Sequence, residues 1–285
     1  MKKIFYTVLL MMVALSCTGR KEGKMIAAKT LAFDTLKVVE KIKLLENGVD
    51  TLPHAELSIE FIYPKSYGSK ADLKKLQSLF YQIIFDEENE SVSSPHQAIE
   101  RYIKSYTEEY RDEASDYSHD YSQYSQIDNE IDFYNKSLLS FTSNFENVHS
   151  GKVMREIKYS VIDLKSMKKL TEADMFNPGY EEPLAQIIRN KLLEAAMEWF
   201  EDVGIDQNPR NSFDDFDAIH ANGNFKIDDK GLHYMYNQNE VARAIFGAFE
   251  IDIALKEVAH LFNLEVLNDL GINGEDDPEI AQDSE

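Results

Sequence analysis

The residues best suited to chemistry lie in one acidic loop, one short polar turn and one row of rings. Asp214, Asp215, Asp217 and His220 stand close together in sequence, as they would if carboxylates and an imidazole shared a cation or divided acid and base roles. Their spacing is not that of a calcium loop, which alternates acids ahead of a Gly and closes on a Glu, and a single His does not make a zinc set. His149 beside Ser150 raises the question of a hydroxyl nucleophile activated by an imidazole. Neighbours on an extended chain point to opposite faces, however, and no G-x-S-x-G elbow is present. The expectation is therefore no catalytic residue, no metal and no cofactor. Tyr102, Tyr106 and Tyr110 fall on one helical stripe that Tyr117, Tyr121 and Tyr124 would extend. Rings so placed stack on sugars, form a protein interface or close the edge of a core, and closing the core edge is the favoured reading.

These groups sit in an acidic chain, with 51 Asp and Glu against 30 Lys and Arg and a formal charge of -21. Such a field excludes nucleic acid as a partner and suits a basic one. Hydrophobic residues at 43% and aromatic residues at 11% are enough for one large or two modest domains. Met1-Lys2-Lys3 followed by an apolar stretch over residues 4–15 predicts a signal peptide at 1–16, too short to span a bilayer as a helix. Ala14-Leu15-Ser16-Cys17 resembles the lipobox of bacterial lipoproteins. That resemblance implies a lipid on Cys17, a membrane anchor, and a tether over 17–30. With no second cysteine the chain gains no internal disulfide. The expected location is the cell envelope, lipid-anchored and facing the periplasm from the outer membrane.

The elements that must position these residues are read from periodicity. They predict an α+β fold of antiparallel β-sheet with amphipathic helices packed on one face, in two joined units over 31–180 and 181–268. An acidic tail over 269–285 is too poor in apolar residues to order itself. Alternation in 35–39 and 55–63 about Asn47-Gly48 predicts a hairpin. Apolar spacing of three and four predicts helices over 69–85, from Ser94-Pro95 onward, and over 182–203. The acidic run at 86–90 reads as a solvated helix end. Residues 130–145 read as one strand and 153–164 as the next, joined by a turn at His149 to Gly151. After a loop over 206–224, residues 225–236 form a hairpin whose Gly231 supplies the positive φ of the turn. Residues 249–253 form a further strand, and Leu255, Val258, Ala259 and Phe262 mark one face of a helix.

The hairpin at 225–236, followed by Asn239-Glu240-Val241-Ala242 and Gly247, is similar to the C-terminal domain of the RsiV-type and PdaC-type bacterial envelope family, the domain of unknown function 3298 with its N-terminal companion domain. That family's motif reads Tyr-Glu-Ile-Ala-Pro-Tyr-Ala-x-Gly. Glu240, Ala242 and Gly247 match it, while Asn239 and Arg243 stand where the family has Tyr and Pro. His149 lies where the family has a Gly-Gly-Ala-His loop, and residues 159–163 with Asp174-Met175-Phe176 resemble its next element. The resemblance implies a noncatalytic envelope domain in which His149, Gly231, Tyr236, Glu240, Ala242 and Gly247 are structural or binding positions. The implied partner is a basic, lysozyme-like protein or the glycan of peptidoglycan. The competing expectation is a wall hydrolase built on Asp217, His220 and His149. Glu240 discriminates between the two: buried and paired it is a structural anchor, whereas exposed in a cleft beside His149 it favours the enzyme.

Overall fold

The computed structural model describes residues 30–45, 53–86, 92–115, 121–149, 151–202, 204 and 208–272. The expected signal peptide, Cys17, the tether before residue 30, Asn47-Gly48, Tyr117, Ser150, most of the acidic run at 86–90 and the tail beyond residue 272 lie outside the described residues. The fold is α+β, with two sheets. The larger sheet holds six strands in chain order: β1 (Ala32–Lys43), β2 (His54–Ser66), β3 (Gln123–Tyr134), β4 (Leu138–His149), β5 (Lys152–Asp163) and β6 (Lys168–Lys169). Its pairs are antiparallel except β2–β3, which is parallel. Two helices, α1 (Lys70–Phe85) and α2 (Pro95–Ser115), lie in the connection between those two strands. A crossover of that length is what a parallel pair requires. The single strand expected over 130–145 is in fact two. Asn135 turns the chain by accepting the N–H groups of Ser137 and Leu138 on its side-chain oxygen, at 2.7 and 2.8 Å, a turn made without Gly or Pro.

α1 begins with reciprocal bonds between Ser69 and Asp72 at 3.2 Å each, the capping box that satisfies two orphan donors. It buries Leu76, Phe80, Tyr81 and Ile84. With α2 it covers one face of the large sheet, packing on Leu57, Ile59, Phe61, Ile127, Leu139, Phe141 and Ile162. The rings of Phe80 and Phe141 stack with centroids 4.6 Å apart.

The second sheet is antiparallel and contains β7 (Phe225–Ile227), β8 (Gly231–Tyr236) and β9 (Phe249–Ala254). It packs between β4–β5 and α4 (Glu181–Asp202), and the Ser140 hydroxyl donates to the Ile227 carbonyl at 2.6 Å. Leu138 and Val161 of the large sheet join Leu184, Ile188, Leu192, Phe225, Ile227, Tyr234, Ile251 and Phe262 in this second core. Because side chains alternate faces along a strand, Leu138 and Leu139 serve opposite cores. The helix expected through 255–262 is broken. α5 (Leu255–Val258) passes into a 3₁₀ turn at Ala259–Leu261, and α6 (Leu264–Leu270) starts afresh where the Asn263 side chain accepts the Val266 N–H at 3.0 Å. α6 runs to Leu270, past residue 268, after which the acidic tail was expected to begin.

Gly231 also corrects its expectation. The residues with positive φ include Gly223 and Gly247 but not Gly231. The turn is held instead by Asp228, whose carboxylate accepts the N–H groups of Lys230 and Gly231 at 2.7 and 3.0 Å. Gly231 is needed for space, because a Cβ there would lie 2.2 Å from the backbone carbonyl oxygen of Ile253.

A pH-sensitive contact ties β6 to α3 (Glu172–Met175). Lys168 donates to one oxygen of Asp174 at 2.5 Å, and Thr171 donates its N–H and hydroxyl to the other at 2.9 and 2.7 Å. The Lys168 hydrogen bond, aided by Thr171, pushes the Asp174 pKa down to about 2 from 3.8. A depressed carboxyl contributes stability that is present above its unfolded pKa and lost as pH falls through its folded one. Stability should therefore drop between about pH 4 and pH 2 by an increment that Asp174→Asn removes. Denaturant titrations of both proteins at pH 5 and pH 2.5 check this, and an identical acid-side decline in the two would exclude it.

Candidate functional site

Of the motif positions singled out in sequence, Tyr236, Glu240, Ala242 and Gly247 gather at one end of the small sheet, whereas Gly231 starts β8 at its other end and His149 lies on the large sheet. Tyr236 is buried, and its hydroxyl donates to the His220 carbonyl at 2.7 Å. Ala242 is buried and bridges to Phe213, and Gly247 holds φ 74° as the chain enters β9. Glu240 is exposed yet paired. Its two oxygens accept the side-chain amide of Asn222 at 2.6 Å and the N–H of Asn237 at 2.7 Å. Glu240 and Asn222 line two neighbouring cavities. One, of about 560 Å³, lies beside Gln82 and Asp86 of the α1 end and Glu156, Lys158 and Ser160 of β5. The other, of about 470 Å³, is lined by Asp214, Asp215, His220 and Tyr236.

His149 is not among the residues lining either cavity. It ends β4, with its ring 4.2 Å from that of Tyr121. The acidic loop is divided. Asp217 makes a two-pronged pair with Arg210, both distances 2.5 Å, while Asp214, Asp215 and His220 face the second cavity. The His220 Nδ1 lies 2.9 Å from the Ala218 carbonyl. Among the described residues, no group of three or more His, Cys, Asp and Glu side chains is placed to hold a metal ion. The structure thus separates His149 from the acids with which a hydrolase reading would combine it. Sequence reasoning missed a different juxtaposition on the small sheet, where His233 Nδ1 bonds Asp252 and its Nε2 lies 3.2 Å from Asp228. Register is the signal that finds it, since His233 is paired with Asp252 across β8–β9.

Asparagines do structural work around the first cavity. Ile157 on β5 donates its N–H to Asn237 at 2.8 Å, and its carbonyl accepts from Asn224 and Asn237 at 2.8 and 3.0 Å. Tyr159 donates its N–H to Asn224 at 2.6 Å. These side-chain amides take the place of a neighbouring strand, so their hydrogen-bonding capacity is spent on the fold.

The tyrosine stripe builds a third concavity. Tyr106 and Tyr110 are buried, with Tyr106 Oη 2.8 Å from the Ser125 hydroxyl and Tyr110 Oη donating to the Tyr121 carbonyl at 2.8 Å. Tyr121 and Tyr124 do not extend the helix: Tyr121 precedes β3 and Tyr124 lies on it. The stripe closes the core edge and also lines a groove of about 420 Å³ between α2 and the strands. Tyr102 and Tyr106 stack there with centroids 6.4 Å apart, facing Phe145. Burial pushes the Tyr102 hydroxyl up to about 12 and raises Tyr106 as well, so both phenols stay neutral. Glu109, Glu113, Glu146 and Glu156 also line the groove. Among its lining residues the base is Arg155, which is paired with Glu146 at 2.5 Å.

Residues 173–256 match the DUF3298 family. The family is described as a protein of unknown function, and no curated protein matches the chain. Two solved structures share the fold. A member of the DUF3298 family from Bacteroides fragilis is 23% identical with a TM-score of 0.71, covering 86% of this chain and 99% of its own. A DUF3298 family protein from Pseudomonas aeruginosa is 12% identical with a TM-score of 0.54, covering 82% of this chain and 96% of its own.

The DUF3298 match contains Gly231, Tyr236, Glu240, Ala242 and Gly247, and runs from α3 to the start of α5. The tyrosine groove is built wholly from residues before it. What sets the chemistry of that groove is therefore particular to the N-terminal part of the chain.

Proposed function

We propose that this chain is a noncatalytic, lipid-anchored envelope protein of the RsiV and PdaC type that binds a basic, lysozyme-like protein through the groove beside α2. The observation that carries this reading is the groove's composition. Stacked tyrosines offer ring faces to a cation beside Phe145, whose ring already carries Lys158 Nζ at 4.8 Å, and four carboxylates line the groove against a single guanidinium that is paired with Glu146. A net charge of -21 would draw such a partner in from a distance. The lipobox-like sequence ending at Cys17 supports an anchor in the envelope, facing the periplasm. Among the described residues no helix is long and apolar enough to cross a membrane.

Calorimetric titration with lysozyme and, separately, with muropeptides tests the proposal. Lysozyme should bind at low salt, and the affinity should fall as ionic strength rises and the Debye length shrinks. Tyr102→Ala with Glu109→Gln should weaken it further. Binding of muropeptides alone, with little salt dependence, would transfer the function to wall glycan. No heat with either at low salt overturns the binding reading.

A further inference from the structure

We infer that the open edge of β5 pairs with the same edge of a second copy of this chain, antiparallel and centred on Met154. β6 pairs only with Ile162 and Asp163, while Asn224 and Asn237 take up both outward groups of Ile157 and Asn224 the N–H of Tyr159. Backbone groups pointing away from β4 therefore belong to the odd-numbered residues. Continuing that alternation, Val153 and Arg155 present theirs along an edge that no strand covers among the described residues. The same segment exposes apolar surface, with Val153 48% and Met154 61% exposed. An uncovered edge of this kind is a template for strand addition unless its charges oppose it.

The charges here select a second copy. With Met154 opposite itself, Lys152 faces Glu156 of the partner subunit, and Glu156 faces the partner's Lys152. Val153 and Arg155 then exchange backbone bonds with their counterparts as hydrogen-bonded pairs, and the methionines meet at the closer, non-hydrogen-bonded spacing. Moving the centre to Arg155 would set arginine against arginine and Lys152 against the partner's Lys158. Moving it to Val153 would oppose Lys152 to a methionine. Only the Met154 register of these three pairs opposite charges, and it does so twice by symmetry. The twofold axis stands perpendicular to the sheet, so both copies keep α2 on the same side. Because Met154, Arg155 and Glu156 line the tyrosine groove, the two grooves would adjoin across the axis.

Two experiments on the full chain in mild detergent test this. In a Cys17→Ser background, Met154→Cys should form a disulfide-linked dimer rapidly on mild oxidation, since opposed Cα atoms at a non-hydrogen-bonded position lie within disulfide reach. Ile245→Cys, at an exposed position of the 3₁₀ turn before β9, should not. By sedimentation equilibrium, Lys152→Glu should weaken the dimer about tenfold, as two attractive cross-strand pairs become repulsive. Adding Glu156→Lys should restore it, which a folding defect would not permit. A monomer at every accessible concentration, cross-linking no faster than the Ile245→Cys control, or a dimer indifferent to both charge changes would each overturn the inference. It is independent of the binding reading, since a monomer that still binds lysozyme would leave that reading intact.

Discussion

Gly231→Ala is expected to lower the melting temperature by roughly 6–12 °C, from a loss on the order of 3 kcal/mol in a chain of this size. The added carbon would sit 2.2 Å from the Ile253 carbonyl oxygen and 3.0 Å from its carbon, and both are backbone atoms that cannot swing aside. β8 and β9 would have to separate where Gly231 pairs with Ala254 and Leu232 with Ile253. Leu232 and Ile253 are fully buried, so the displacement reaches the second core directly. Thermal unfolding followed by circular dichroism reads the effect. A melting temperature within a degree of the parent's would show that the strands part without cost and that the close approach is not what the glycine serves.

Phe141→Ala should cost about 3–5 kcal/mol, the range for truncating a fully buried aromatic ring. Phe141 is completely inaccessible to solvent and stacks on Phe80 of α1, so its removal leaves a cavity between the large sheet and its helices. β4 is paired on both sides and cannot move inward to fill that space. Phe141→Leu keeps much of the volume and should lose clearly less. Urea denaturation gives both values, and a loss below about 1 kcal/mol for the alanine variant would mean the site collapses freely.

What was legible in the sequence follows from which signals are local. The pairing of β1 with β2, the capped start of α1, the length of α4 and the strands of the small sheet all rest on periodicity and caps within a few residues. The β3–β4 turn was hidden because Asn135 makes it with a side-chain acceptor rather than with Gly or Pro. The parallel β2–β3 pairing is a long-range choice made by the α1–α2 crossover, and Asn129 continues it by bonding both backbone groups of Ile62. Nothing within β3 alone announces that role.

The candidate site was legible to a smaller degree. The tyrosine stripe was visible as a helical row, but its second wall comes from Phe145, Glu146 and Glu156, which only the sheet register brings opposite it. Glu240 satisfied neither expected outcome in full, being exposed and paired, with His149 at the end of β4 against Tyr121. The acids of the 214–217 loop looked like a single cluster because sequence proximity does not show which way each carboxylate turns. Arg210 takes Asp217 away from the others.

The alternation of Leu138 with Leu139 and of Val161 with Ile162 has a thermodynamic consequence. Two consecutive residues on each of two paired strands commit the same stretch of backbone to both hydrophobic interiors. Melting either interior removes the support for the strands on which the other is built, so the free energies of the two are coupled rather than additive. The described chain should therefore unfold as one cooperative transition, with calorimetric and van't Hoff enthalpies in agreement. A fragment beginning at α4 would lack the wall against which its own sheet condenses.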